Sequence, residues 1–325
     1  MTGILPIIRD KVQSKLNNFT EYTMLDAAAL AEYAGFTEEE VRGIADASGL
    51  DFSELQRWYD GYSVNGMDIY SPESVVMVAE RQRYADYWSQ TGSYDALRDC
   101  ILMDFEGIRD DIISMIAGDR VYADVSMYRN TLSDFRSRDD VFTYLIHLGY
   151  LSYDMDEKKC FIPNHEIRAE WIRAIKDSSG YRSVIESVNA SRRLLEDTWA
   201  MDGEAVAAAV EKSHMLVTSN LTYNNEGSFQ SALRLAYFYA DAYCTVFNEL
   251  PSGRGYADVA FIPYVNGKPA IIAELKVDES AERAMEQIRA RRYPEGLEKY
   301  REDMLLVAIS YDRRTKKHSC LIEKA

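Results

Sequence analysis

Between residues 25 and 196 the apolar positions recur mostly at three- and four-residue steps, the spacing of helices with one buried face. Leu25, Ala28, Ala29, Ala31 and Ala34 form the first such face, and Gly35 stops it. Thr37 and Glu40 have capping-box spacing and open a short helix to about residue 48. Ser53 is the expected cap of the next helix, which carries Leu55 and Trp58 and ends at the Asp60-Gly61 turn. Helices over 72–88, 94–103 and 106–117 complete a block that reads as all-helical.

From 137 to 176 the pattern becomes helix, hairpin, helix. Val141 to Leu148 is apolar, two short runs at 150–153 and 159–162 flank an acidic turn, and Pro163 leads into the last helix. That order is similar to a winged helix, but Asp154, Asp156 and Glu157 in the wing would face phosphates badly, so a structural or protein-contact role is expected. A helix over 181–199 and the Ala-rich 204–212 read as a bridge. Beyond Tyr223 an apolar helix over 228–243 precedes strand-like runs at 244–249, 256–263 and 270–277, a helix over 279–292, and strands at 304–310 and 319–322. The expected fold is therefore a C-terminal α/β domain with a mixed central sheet, behind a mainly α-helical region. Its expected divisions are a helical region over 1–130, a winged-helix-like segment over 131–178, a helical bridge over 179–220 and the α/β domain over 221–325.

Composition narrows the function classes. The chain has 325 residues, 47% hydrophobic and 28% charged, with 17 Gly and 7 Pro, which excludes collagen-like and wholly disordered chains. Its net charge of −16 repels nucleic acid and anionic membranes as a whole, so a phosphate-rich partner needs a local basic patch. From Pro251 onward Lys and Arg number 14 against 12 Asp and Glu, so the acidity belongs to the first three-quarters. That acidic helical region is the expected site of any protein partner. Cys100, Cys160, Cys244 and Cys320 have no ligand spacing, which points to reduced, buried thiols and a cytoplasmic protein. The first eleven residues lack a signal-peptide pattern, and no window approaches 18 apolar residues, so neither export nor membrane spanning is expected.

The chemistry gathers in the last third. Asp258 interrupts the apolar run from Tyr256 to Phe261, and Glu274 and Lys276 interrupt the run from Ala270 to Val277. Alternation along a strand places Glu274 and Lys276 on one face and Ala273, Leu275 and Val277 on the other, and a neighbouring strand can bring Asp258 beside them. Two converging carboxylates suit a hard divalent cation such as Mg2+ or Mn2+, and the Lys276 ammonium suits charge building on a phosphorus centre.

These residues resemble the PD-(D/E)XK nuclease superfamily, whose pattern is an Asp on one strand and Glu-x-Lys on the next. Gln287, Ile288 and Tyr293 are similar to the Gln-Ile-x-x-x-x-Tyr segment of the branch fused to an AAA-like ATPase region. Thr2 to Leu5, Leu16 to Asn18, Gly35 to Val41, Trp58 to Tyr62 and Ile69 to Pro72 look like that branch's middle region. The resemblance implies a metal-dependent nuclease acting on DNA. Asp258 and Glu274 would be metal ligands, Lys276 the group serving the transition state, and Gln287 a supporting residue. It also implies an upstream Glu in the site: Glu226, favoured for its helical position, or Glu249. Arg254, Arg291, Arg292 and Tyr293 are the expected nucleic-acid contacts. The only Gly-Lys pair, Gly267-Lys268, lacks a phosphate-loop pattern, so ATP hydrolysis is not expected and Met1 would fall near the end of the ATPase-like region. Relatives carry Gly-Arg-x-Asp where this chain has Gly255-Tyr256-Ala257-Asp258.

Plainer readings stand beside these. The acidic residues and Lys276 can be an ion pair on a solvated sheet face, Arg289, Arg291 and Arg292 can lie on an exposed helix face and pair with Glu286 and Glu295, and the nuclease fold can serve as an inactive binding module. His147, His165, His214 and His318 have no partner at ligand spacing and read as structural, and the aromatic run at Tyr237, Phe238, Tyr239 and Tyr243 reads as core.

Overall fold

The structure is a computed structural model that describes residues 22–88, 94–103, 105–126, 135–176, 178–217, 226–251, 256–265, 267–290, 300 and 303–325. The chain divides into two compact units, Met1–Ser179 and Gly180–Ala325. No described helix is long and apolar enough to cross a membrane.

In the first unit the apolar step at 25–34 forms a short 3-10 helix, Ala28–Tyr33. Strand β1 (Phe36–Thr37) runs into helix α1 (Glu38–Ser48), where Thr37 and Glu40 form the expected capping box. Helix α2 (Phe52–Tyr59) is capped by Asp51 rather than Ser53: its carboxylate accepts from Ser53 N at 2.7 Å and Glu54 N at 3.3 Å. The all-helical expectation fails next. Strands β2 (Tyr62–Val64) and β3 (Met67–Tyr70) form a hairpin, and β1 pairs with β3. Asn65 and Gly66 turn it at φ +52° and +76°, the left-handed values a two-residue hairpin turn requires. Helix α3 (Pro72–Arg81) stops seven residues short of the expected end because Gln82 takes a left-handed C-cap at φ +51°. Val41, Ala45, Leu55, Tyr59, Tyr70, Val75 and Val78 make the core between these elements.

Helices α4 (Tyr94–Ile101) and α5 (Ile108–Ile116) follow, then strand β4 (Val121–Tyr122), helix α6 (Arg138–His147), the hairpin β5 (Ser152–Asp154) and β6 (Lys159–Phe161), and helix α7 (His165–Ile175). β4 joins the hairpin as a third strand, in the order β4-β6-β5. The acidic turn has a local cause: Asp154 accepts from Asp156 N and Glu157 N and pairs with Arg120 at 2.7 Å. Glu166 of α7, 1% exposed, accepts from Tyr87 N, Trp88 N and Ser74 Oγ, so a buried carboxylate pins the chain that follows α3. Burial pushes its pKa up to about 7.

The second unit is a five-stranded mixed sheet in the order β11-β10-β9-β8-β7. Helices α8 (Arg182–Trp199), α9 (Gly203–Val217) and α10 (Glu226–Ala236) precede strands β7 (Cys244–Pro251), β8 (Tyr256–Pro263) and β9 (Ala270–Val277). Helix α11 (Ala281–Ala290) crosses over to β10 (Met304–Asp312), and β11 (Lys317–Lys324) closes the edge. Only β9 and β10 are parallel, which is what a helical crossover produces.

Of the expected bridge over 179–220, all but Ser179 falls in this unit. Leu194, Leu195, Val206 and Val210 bury with Phe229, Leu233 and the sheet residues Val259, Phe261, Ala273, Leu275 and Val307, which cover their apolar stripes. The expected helix over 228–243 breaks at Tyr237, whose hydroxyl lies 2.7 Å from Thr198 Oγ1, and continues as a 3-10 turn, Phe238–Ala242. Tyr237 packs on Phe261 in the core, as expected of that aromatic run. The Gly267-Lys268 turn puts the Lys268 ammonium 3.8 Å over the Trp199 ring, a cation–π contact.

Candidate active site

Glu274 and Lys276 lie near the C-terminal end of β9, on the face that α11 covers. Alternation supplies this: Ala270 and Ile272 bury under Ala284, Met285 and Ile288 of α11, while Ile271, Ala273 and Leu275 bury on the other face. The β8–β9 pairing runs Phe261↔Ile271, Ala260↔Ile272 and Val259↔Ala273. One step further would set Asp258 opposite Glu274, and there the backbone ladder gives way to a side chain. Asp258 Oδ2 accepts from Leu275 N at 2.7 Å, so the carboxylate is held by the strand that carries Glu274.

Glu274 is 1% exposed inside a sheet of apolar neighbours. Its Oε1 accepts from Lys276 Nζ at 3.0 Å and from Gln287 Nε2 at 2.5 Å. Gln287 reaches it because it shares an α11 face with Ala284 and Ile288. A buried carboxylate requires such partners, and here they include a cation and an amide. Asp258, Glu274, Lys276 and Gln287 thus meet at one end of one sheet face, 29 residues apart at most in sequence.

The remaining expected residues divide. Glu226 opens α10, a helix whose Phe229 and Leu233 bury on the face opposite α11. Glu249 lies in β7 between Asn248, paired with Val259, and Leu250, paired with Ala257, hence across from Asp258. The side chains of both Glu226 and Glu249 lie outside the described residues, as do Arg254, Arg291, Arg292 and Tyr293 altogether. The Arg289 guanidinium forms a two-pronged pair with Glu323 of β11, and Glu295 lies outside the described residues.

Asp258 and Glu274 offer hard oxygen donors, and a cation that keeps most of its waters needs only one or two carboxylates. The donor set therefore fits magnesium or manganese. Among the described residues no group of three or more His, Cys, Asp or Glu gathers as a metal cluster.

Histidine pairing escaped the sequence. His214 of α9 and His318 of β11, 104 residues apart, place Nδ1 and Nε2 at 2.9 Å on the face opposite α11, and Glu211 Oε2 accepts from His318 N at 3.1 Å. Phe229 and Tyr311 enclose the pair. No local spacing signals a contact made by a helix on the far edge strand.

Residues 224–319 match the profile of the PD-(D/E)XK nuclease superfamily, a span that holds Glu226, Glu249 and the four converging residues. An uncharacterized protein from the vnfD 5′ region of Azotobacter chroococcum mcd 1 is 25% identical over 103 residues, covering 31% of this chain and 20% of that protein. The chain therefore aligns with only about a fifth of that relative's length. No solved structure matches.

Proposed function

We propose that this chain is a metal-dependent nuclease that hydrolyses phosphodiester bonds in DNA at Asp258, Glu274 and Lys276. The observation that carries the reading is the convergence of Lys276 Nζ and Gln287 Nε2 on one oxygen of a nearly buried Glu274, beside an Asp258 held by Leu275 N–H. An ordinary surface ion pair needs neither the burial nor the amide.

Magnesium or manganese, bound by Asp258 and Glu274, would polarise the phosphoryl oxygen and make a bound water a better nucleophile. The chain's own residues do the rest. Leu275 N–H and Gln287 fix the two carboxylates, so little reorganisation is left for the moment of reaction. Lys276 keeps a positive charge where negative charge grows on the phosphate, and its movable ammonium can orient the attacking water. Glu249, across from Asp258, or Glu226 adds a third carboxylate. Arg254, Arg291, Arg292 and Tyr293 serve as strand contacts. The segments upstream resemble the branch joined to an AAA-like ATPase region and include a winged-helix-like part, which we assign to protein contact because of its acidic turn.

Incubating the protein with single- and double-stranded DNA in magnesium or manganese, against EDTA, tests the reading. Metal-dependent cutting is expected, with a loss of at least a hundredfold in Lys276→Ala and Glu274→Ala at unchanged far-UV circular dichroism. A folded protein that binds no metal and cuts nothing would instead mark a binding module.

A further inference from the structure

Past the reach of α11, the sheet face that carries Glu274 changes from apolar to polar. Under the helix it presents Ala270, Ile272, Met304, Leu306 and Ala308. The next row across the sheet is Lys276 of β9, Ser310 of β10 and Ser319 of β11, paired in register, with the two hydroxyl oxygens 2.7 Å apart. The row beyond pairs Asp312 with Lys317, and there the β10–β11 turn projects.

That turn is strongly basic in a chain of net charge −16. From Asp312 to Lys317 it carries Arg313, Arg314, Lys316 and Lys317 against one carboxylate. The nearby acids are already occupied. Asp312 Oδ1 accepts from Arg314 N and Thr315 N at 2.8 Å, which shapes the turn. Asp278 accepts from Arg313 N and Nε, which ties the turn to the end of β9 two residues past Lys276. Arg314 and Lys317 are exposed and enter no ion pair among the described residues. A depression lined by Asp278, Asp312, Arg313 and Arg314 lies beside them.

We propose that this strip, from Lys276 through Ser319 to Arg314 and Lys317, is a track for the nucleic-acid backbone as it leaves the cutting site. The inference rests on the nuclease reading and adds which surface holds the substrate. Two strand spacings of about 4.8 Å and one row of about 7 Å set Lys317 roughly 12 Å from Lys276. That distance is about three to four steps of duplex at 3.4 Å per step, so cations at both ends meet phosphates of one strand. Hydroxyl and cationic donors without a base-sized apolar slot read the backbone and position it rather than read sequence. An acidic protein surface would leave the register with Lys276 unexplained.

The test uses the full chain and a fluorescent 20-base-pair DNA duplex, with calcium in place of magnesium so that binding is read by anisotropy across a salt series. The double variant Arg314→Ala/Lys317→Ala is expected to bind about tenfold more weakly and to lower the log–log salt slope by about 1.8, two phosphates' worth. The charge-keeping Arg314→Lys/Lys317→Arg is expected to restore both. Parallel arms with duplex RNA and single strands identify which nucleic acid supplies the phosphates. Unchanged affinity and slope on every nucleic acid would overturn the track, as would a loss that the charge-keeping variant fails to restore. Hydrolysis of a small phosphodiester, bis(p-nitrophenyl) phosphate, by the unaltered protein and by Lys276→Ala reads the nuclease assignment separately. Cleavage lost in Lys276→Ala with unchanged DNA binding by the double variant sinks the track alone. No cleavage, with the expected loss of salt slope, sinks the nuclease alone.

Discussion

Glu274 is nearly shut away from water, and both Lys276 from the same strand and Gln287 from the helix above reach its Oε1. A strand period of two delivers the first, and a helix packed on that strand delivers the second. Gln287 touches the carboxylate rather than the reacting atoms, so it is a positioning residue. Its loss removes one of the groups that hold the carboxylate and should cost 10- to 100-fold, the usual effect of removing a group that orients a metal ligand. We therefore expect Gln287→Ala to cut DNA 10- to 100-fold more slowly and to need more metal for half-maximal rate, while Gln287→Asn recovers little because its amide is one methylene too short. Unchanged metal dependence in Gln287→Ala would leave it a packing residue. The signal for this contact was in the sequence, since Gln287 shares its helix face with Ala284 and Ile288.

At the scale of elements, the α9–β11 contact shows what a local pattern leaves out. His214 and His318 are buried side by side, and burial holds both pKa values down at about 4, against 6.5 in an open chain. His318 is also pulled upward by Glu211, which only partly offsets burial. The folded protein keeps both rings neutral, whereas the unfolded chain takes up protons below pH 6.5. Their contribution to stability is therefore complete above pH 6.5 and is lost as pH falls toward 4. We expect the melting temperature to drop over that window, and His214→Gln to flatten the drop even where it lowers the melting temperature at pH 7.5. Thermal melts at half-unit steps from pH 7.5 to 4.5 decide it, and a parallel pair of curves would remove the pair from the account. Hairpins tell the opposite story. The Asn65-Gly66 turn is written in two adjacent residues, but it lies in a stretch, 62–71, to which the apolar spacing assigns no element.

For the whole molecule, two units with separate buried clusters imply separate melting. Calorimetry should resolve two transitions, and Leu233→Ala, which opens a cavity among Phe229, Val259 and Leu275, should destabilise the one that belongs to 180–325 by about 2–5 kcal/mol. A single transition, shifted as one, would show that the units unfold together. Local pattern is enough for the strands of the sheet and for the alternation that aims Glu274 and Lys276 one way, and it leaves Asp258 within reach of that motif on a neighbouring strand. Each depends on residues close in the chain, where period and spacing are decisive. The same logic settled the capping box at Thr37 and the acidic turn at Asp154, where side chains answer nearby backbone donors. Only the folded chain decides that α8 and α9 share a buried core with the sheet, that His214 meets His318, that Arg289 is spent on Glu323, and that a basic turn stands in line with Lys276. Those contacts join residues far apart in sequence, and what selects them is the burial of faces against one another, which a one-dimensional pattern marks as apolar without naming the partner.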